Sequence, residues 1–205
     1  MVNLKQTSYR ILAGTSQAYV LDLKDFSGDF SLKQELVFVL EQATNLNLKI
    51  VGFGELLVNL IIKIEFVGIN VHAKMTGAFL LNQNSQVKID VLQNHLLPDC
   101  QSWVQVRSVL DDFAQFDYVG KILIGPSAQN TIAHQENKNI VMSSGAVVRS
   151  EPSIEVLNTD VMCSHGSATG GLDYEQLIYL TSRGLDQQAA TKILINSFLN
   201  VNICT

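Results

Sequence analysis

This sequence is poor in cysteine, in charge and in long apolar runs, and each shortage removes a class of protein. Three cysteines in 205 residues, Cys100, Cys163 and Cys204, are too few and too scattered for a disulfide framework. No CxxC or paired histidine spacing offers a closed zinc site. Each cysteine reads first as a small buried hydrophobe, and Cys204, at the tail, as incidental. Charged residues make up 16% against 47% hydrophobic, a balance that suits a folded body with much buried β surface and excludes a disordered chain. The net charge of -5 comes without a basic stripe, so neither nucleic acid nor an anionic membrane is expected as a partner. The most apolar window, residues 49–68, is interrupted by Glu55, Lys63 and Glu65 and falls short of the about 20 apolar residues that span a bilayer. The opening MVNLKQTSYR lacks an apolar stretch with a small-residue cleavage site, which predicts no secretory signal and a cytoplasmic address, or an organelle stroma in a eukaryote. The length suits one domain with a sizeable core; two full domains would be cramped.

What is there is mostly strand. Short apolar runs at residues 11–12, 18–23, 36–40, 46–53, 57–67, 77–81, 87–92, 104–110, 116–124, 131–134, 140–142, 154–157 and 161–163 are separated by Gly, Asp, Asn and Ser, the composition of turns. Residues 32–42 also fit a short helix, but the strand reading is preferred. IIKIEFVGINVH alternates as a half-buried strand should. A weak repeat relates Ile122-Leu123-Ile124-Gly125-Pro126-Ser127-Ala128 to Ile140-Val141-Met142-Ser143-Ser144-Gly145-Ala146, 18 residues later. It suggests a β-solenoid whose rungs stack every 18 to 20 residues or so. On pattern alone, a sandwich of short antiparallel strands stands level with it.

The tail changes character. Asp173, with Gln176 three residues on, caps a helix whose apolar face is Tyr174, Leu177 and Ile178, and Gly184 ends it. Asp186 caps a second helix with Ala189, Ala190, Ile193, Leu194 and Phe198 in one stripe. Together they predict an αα-hairpin. Between body and tail lies the stretch on which the chain turns, residues 138–171, centred on Cys163-Ser164-His165-Gly166.

Asn139-Ile140-Val141, Glu151-Pro152-Ser153-Ile154-Glu155, Asp160-Val161-Met162-Cys163-Ser164-His165-Gly166 and Tyr179-Leu180-Thr181-Ser182-Arg183-Gly184 resemble the C-terminal half of the SufB/SufD family, the scaffold subunits of the SUF iron-sulfur cluster assembly machine. The likeness extends more loosely from about Phe66 to Leu199. It implies a right-handed parallel β-helix core over residues 1–171 and a C-terminal helical segment over 172–205, in a member shortened at both ends. It also implies the SufD side of the family. The cluster-bearing cysteine of SufB would fall near Ala146, and the acidic residue that follows the histidine in SufB is replaced by Gly166.

By the same resemblance, His165 faces a SufB-like partner where a transient cluster forms. Cys163, two residues earlier on the same strand face, is a weaker second ligand or a buried cysteine. His134 matches a family position and is read as structural. Iron-sulfur clusters are held mainly by thiolates with imidazole as an occasional replacement, so one histidine needs ligands from a partner. The helical face of Tyr174, Leu177, Ile178, Ile193, Leu194 and Phe198 is expected to dock a SufC-like ATPase. Flavin enters by resemblance only. The rival expectations are a solenoid interaction protein or non-functional fragment without cluster chemistry, and an enzyme on a β-helix. The last is disfavoured because the acids are scattered, no Ser-His-Asp motif is readable, and His72, His95, His134 and His165 lie far apart in sequence.

Overall fold

A computed structural model describes residues 4–200; Cys204 lies outside them. Twelve strands precede two helices: β1 Leu4–Ile11, β2 Ser16–Asp22, β3 Lys33–Leu40, β4 Asn45–Gly54, β5 Leu57–Phe66, β6 His72–Leu81, β7 Gln86–His95, β8 Gln101–Leu110, β9 Gln115–Ile124, β10 Thr131–Val141, β11 Val147–Val156, β12 Val161–Gly170, α1 Tyr174–Ser182 and α2 Gln187–Leu199. A 3-10 turn, Leu23–Phe26, follows β2. Odd strands form one six-stranded sheet and even strands a second, β12 at one edge and β2 at the other. Every pairing is parallel. The body is a β-solenoid of about six turns, two strands to a turn. The sandwich alternative is excluded, since no sequential strands pair as hairpins among the described residues.

The turn is longer than the sequence suggests. Leu57 stacks on Gln86 and Gln86 on Gln115, 29 residues apart each time, and across all pairs the spacing runs from 26 (Lys33 on Asn59) to 32 (Gln115 on Val147). The expected interval of 18 to 20 is therefore wrong. The Ile122 and Ile140 motifs lie on β9 and β10, in opposite sheets, so the repeat relates the two strands of one turn rather than two stacked turns.

Strand boundaries also move. Residues 131–134 and 140–142 read as separate strands because Gln135-Glu136-Asn137-Lys138-Asn139 is polar, yet β10 runs through without a break. Gln135, Asn137 and Asn139 point inward and are buried. The two asparagine amides find partners there: Asn139 Nδ2 donates to Asn137 Oδ1 at 2.8 Å, and Ser108 Oγ donates to Asn139 Oδ1 at 2.7 Å. A buried amide with a partner avoids a desolvation penalty of about 1–3 kcal/mol.

Alternation fixes the core. In β5 the inward residues Val58, Leu60, Ile62, Ile64 and Phe66 are all buried while their neighbours are not, the period of two that a pleated strand imposes. Corners repeat as well: Ala43, Asn70, Gln83, Asp99, Asp112 and Asn130 each have φ between 53° and 59°. Four of the six are Asn or Asp, which tolerate the left-handed region best among residues with a side chain.

The tail folds as expected. Asp173 Oδ1 accepts from the Glu175 and Gln176 N–H groups, Asp186 Oδ1 from Ala189 N, and Gly184 takes φ 94°. α2 is anchored on the outer face of the even-strand sheet, where Leu199 packs with Ala78 and Val109. Arg107 Nη1 donates to the Phe198 carbonyl at 2.6 Å, and its guanidinium lies 5.8 Å from the Phe198 ring centroid.

Stacked turns leave no slack where corners touch. A β-carbon on Gly68 would collide with the backbone of Glu41 and Gln42 in the corner beneath, whereas one on Gly166, in β12, meets nothing. Gly68→Ala is expected to destabilise by about 1–3 kcal/mol, read as a lower urea midpoint, while Gly166→Ala stays within about 0.5 kcal/mol of the parent. Equal effects would contradict this stacking.

Candidate functional site

The chemistry gathers at the last turn. A corner held by Asn158, whose Nδ2 donates to Pro126 O at 2.8 Å and whose Oδ1 accepts from Asp160 N at 2.9 Å, delivers the chain into β12. That strand pairs with β10 along its whole length, Thr131 against Val161 through Ile140 against Gly170, and among the described residues no strand lies on its other side. The outer edge of this ten-residue strand is therefore unpaired, and from His165 to Gly170 every residue is exposed.

Register then decides where each side chain goes. Val161, Cys163, His165, Ser167 and Thr169 share a face with inward-pointing Thr131, Ala133, Gln135, Asn137 and Asn139. Contacts agree at both ends of the row. Cys163 packs with Ile122, Ile124, Ala128 and Ala133, Ser167 Oγ donates to Ser150 Oγ across the turn at 2.9 Å, and Thr169 Oγ1 accepts from Asn139 Nδ2. His165 stands between them, over buried Gln135, at the open mouth of the solenoid. It is exposed because no further turn covers it.

Cys163 differs from His165 although it is only two residues away. Burial pushes its thiol up from the ordinary value, against a smaller downward pull from a hydrogen bond with the Ala133 backbone. A thiol so placed stays protonated at neutral pH, whereas the thiolate is the metal-binding form. Cys100 is fully buried and donates to Gly68 O at 3.3 Å; its thiol is also raised by burial. Both are free cysteines. His134 occupies the opposite face of the sheet, with Nδ1 2.8 Å from Ser164 Oγ, and so does not join His165. Among the described residues no three of His, Cys, Asp and Glu come together to hold a metal ion.

The helical residues separate in the same way. Tyr174, Ile178 and Ile193 are exposed, as is Tyr179, while Leu177 and Leu194 are half-buried. Phe198 is engaged with the chain's own sheet through Arg107.

This assembly of a parallel solenoid, an open last strand and a helical hairpin can be compared with known proteins. The model of the SufBD core domain of the SUF system for FeS cluster assembly matches residues 8–198. The chain belongs to the SufBD family. An iron-sulfur cluster assembly SufBD family protein of Mycobacterium leprae is 30% identical over 156 residues, 72% of this chain and 40% of that protein. The iron-sulfur cluster assembly protein SufD of Escherichia coli is 34% identical over 99 residues, 48% of this chain and 23% of SufD. SufB of Bacillus subtilis is 26% identical over 105 residues, 51% and 23% of the two chains. The chain thus spans less than half the length of these SufBD relatives.

Sequence reasoning missed a second feature of this SufBD chain. The interior changes from aliphatic in the early turns to polar in the late ones: Gln93, His95, Ser102, Ser108, Gln135, Asn137 and Asn139 are all buried and inward. Ser102 Oγ accepts from Gln93 Nε2 at 2.6 Å and lies 2.8 Å from His95 Nε2. The His95 ring stacks on Phe66, with centroids 3.9 Å apart. A β-carbon at Gly120 would overlap the Gln135 amide. The available signal was polar residues at alternate positions in runs otherwise bounded as strands.

His95 makes the polar interior sensitive to acid. Burial holds its pKa down at about 3, against about 6.5 in the unfolded chain. Between these values the unfolded state binds the extra proton. The stability that the neutral ring contributes is therefore complete above roughly pH 6.5 and drains away as pH falls toward 3. From pH 6.5 to 5.0 the wild type is expected to lose about 2 kcal/mol more than His95→Gln, measured as the change in urea midpoint at each pH. Parallel pH dependences would show that His95 does not carry the effect.

Proposed function

We propose that this chain is a SufD-like scaffold subunit for iron-sulfur cluster assembly, non-catalytic in itself, pairing through β12 with a SufB-like subunit and through α1 and α2 with a SufC-like ATPase. Residues 1–171 would form the scaffold body and 172–205 the docking segment. The main support is the placement of His165 on an exposed edge strand, where no group of three His, Cys, Asp or Glu side chains gathers among the described residues. One imidazole cannot complete the coordination of an iron-sulfur cluster, for which thiolates are the usual ligands. A partner strand added to β12 would bring ligands of its own to the same mouth, and strand addition at an open edge draws its affinity from main-chain hydrogen bonds. The cluster is cargo held at the interface. Within this picture Cys163, half-buried and held as a thiol, packs the last turn; a flavin, if carried, would belong to the complex and not to His165.

His165→Ala removes an exposed ring without adding bulk. It is expected to leave subunit stoichiometry with a SufB-like partner unchanged and to abolish the visible absorption of the anaerobically reconstituted complex. Loss of an outer-sphere partner alone would weaken metal binding by only about 10–100-fold. A mutant complex that takes up iron and sulfide like the wild type would mean that the chain is a solenoid interaction protein with a structural histidine.

The hairpin carries its own test. Tyr174, Ile178 and Ile193 leave apolar surface exposed on both helices, the kind of face that fits a partner's groove. Ile193→Asp, at a position already 45% exposed, is expected to leave the fold intact by circular dichroism and to eliminate co-purification of the ATPase. Undiminished co-purification would remove the hairpin from the interface.

A further inference from the structure

The outer face of the even-strand sheet carries a groove that plays no part in the cluster reading. Its volume is about 370 Å³, its floor includes Lys49 of β4, Lys74 and Thr76 of β6, and Gln105 and Arg107 of β8, and the end of α2 closes it. Past Lys74 it runs on into a second hollow of about 440 Å³ bordered by Trp103. No aspartate or glutamate lines either hollow. Lys49 and Lys74 have no carboxylate within ion-pairing distance among the described residues. Arg107 is fixed by its bond to the Phe198 carbonyl. Three uncompensated cations in one concavity are out of keeping with a chain of net charge -5, and they attract an anion.

Spacing narrows the kind of anion. Lys74 and Trp103 are direct neighbours across β6 and β8, and Lys49 sits against Thr76 one strand further out. Strands are about 4.8 Å apart and residues about 3.4 Å apart along a strand, so the backbone of Lys74 lies roughly 5 Å from that of Trp103, that of Lys49, two strands and two residues away, roughly 12 Å, and that of Arg107, four residues along β8, roughly 13 Å. Trp103 is 37% exposed and offers a flat apolar face. A flat ring joined to a chain of negative groups over about 10 Å matches this order. We propose that the groove binds a nucleoside di- or triphosphate, its base against Trp103 and its phosphates on Lys74, Lys49 and Arg107. Aromatic stacking of a base tolerates any base identity, and ammonium groups meet phosphates as point charges.

Trp103 is the chain's one tryptophan and therefore reports on its own site. The whole chain is titrated with ADP and ATP, with inorganic tripolyphosphate as charge without ring, with adenosine as ring without charge, and with a single-stranded oligonucleotide. Saturable quenching by ADP and ATP is expected, weakened by added salt and competed by tripolyphosphate, with adenosine far weaker. Charge reversal at two exposed positions, Lys49→Glu with Lys74→Glu, is expected to lower affinity at least tenfold with an unchanged circular dichroism spectrum. Trp103→Leu, followed by calorimetry, is expected to lose about tenfold through stacking alone. The proposal is overturned by the absence of saturable binding at millimolar nucleotide, by adenosine binding as well as ADP, or by unchanged affinity in the charge-reversal variant. Preference for the oligonucleotide over ATP would likewise overturn it and assign the face to nucleic acid. None of these outcomes touches His165, which lies on the other side of the sheet.

Discussion

Everything in this molecule depends on the requirement that each turn lie in register on the one before it. Parallel strands exchange evenly spaced hydrogen bonds only when residue follows residue at a constant offset, and in β5, β7 and β9 that offset is 29 at every position. The consequences run inward and outward. Inward, each side chain is stacked on a near-equivalent one, so a row has one character for several turns: Leu48, Met75 and Val104 succeed one another at a single inward position. Outward, the same rule stacks exposed residues in adjacent rows, so charges far apart in sequence, such as Lys49, Lys74 and Arg107, come to line one groove. Corners must fit the same offset, which explains why a left-handed residue recurs at six of them, from Ala43 to Asn130, and why Gly68 has no room for a β-carbon.

Register also determines how the solenoid ends. A row of apolar side chains cannot simply stop, because the last turn would expose its face to water. Here the change is gradual: the row Met75, Val104, Gln135, His165 passes from aliphatic to amide to imidazole as it nears the open end. A neighbouring row runs Phe79, Ser108, Asn139, Thr169. Each step lowers the apolar area left uncovered, and in the second row Ser108, Asn139 and Thr169 are hydrogen-bonded one to the next. A long, flat, unpaired strand is ordinarily blunted by lysine, proline or a bulge because it invites association. β12 has no lysine, no proline and no bulge. An edge left open in this way is consistent with a strand kept for pairing.

How much of this was legible depends on the kind of pattern involved. Alternation in β5 and the capped helices at Asp173 and Asp186 were readable because a period of two and a carboxylate at a helix start are local signals. The strand preference over helix for residues 32–42 also held, as β3. The length of a turn was not readable, because successive strands in one turn face each other with similar inward residues. Comparing β9 with β10 therefore returns a false period. The polar segment in β10 was taken for a gap between strands because single-residue polarity says nothing about a partner 31 residues away, and Ser108 to Asn139 is such a pair. Composition likewise concealed the basic groove: no stripe exists along the chain, and only folding assembles one. Of the site, the family motif singled out His165, but its exposure could be learned only from the order of turns.

That order separates two histidines which the sequence presents as equals. His95 and His165 are both inward-facing residues of the same solenoid. Two further turns of strand lie over the first, and burial keeps it neutral, stacked on Phe66 and bonded to Ser102. Nothing lies over the second. The Nε2 of His95 is committed to Ser102 inside the stack; the His165 side chain is exposed at the mouth, where another chain would continue the sheet. In the proposed scaffold the ligand and the association surface would both follow from one structural fact, that no strand covers β12 among the described residues, and no separate adaptation of the histidine would be needed to make it available. A strand supplied by a partner would at once satisfy the β12 backbone and enclose His165, so that coordination and assembly become one event. This coupling gives a physical reason for a scaffold to hold its cargo at an interface rather than inside either subunit.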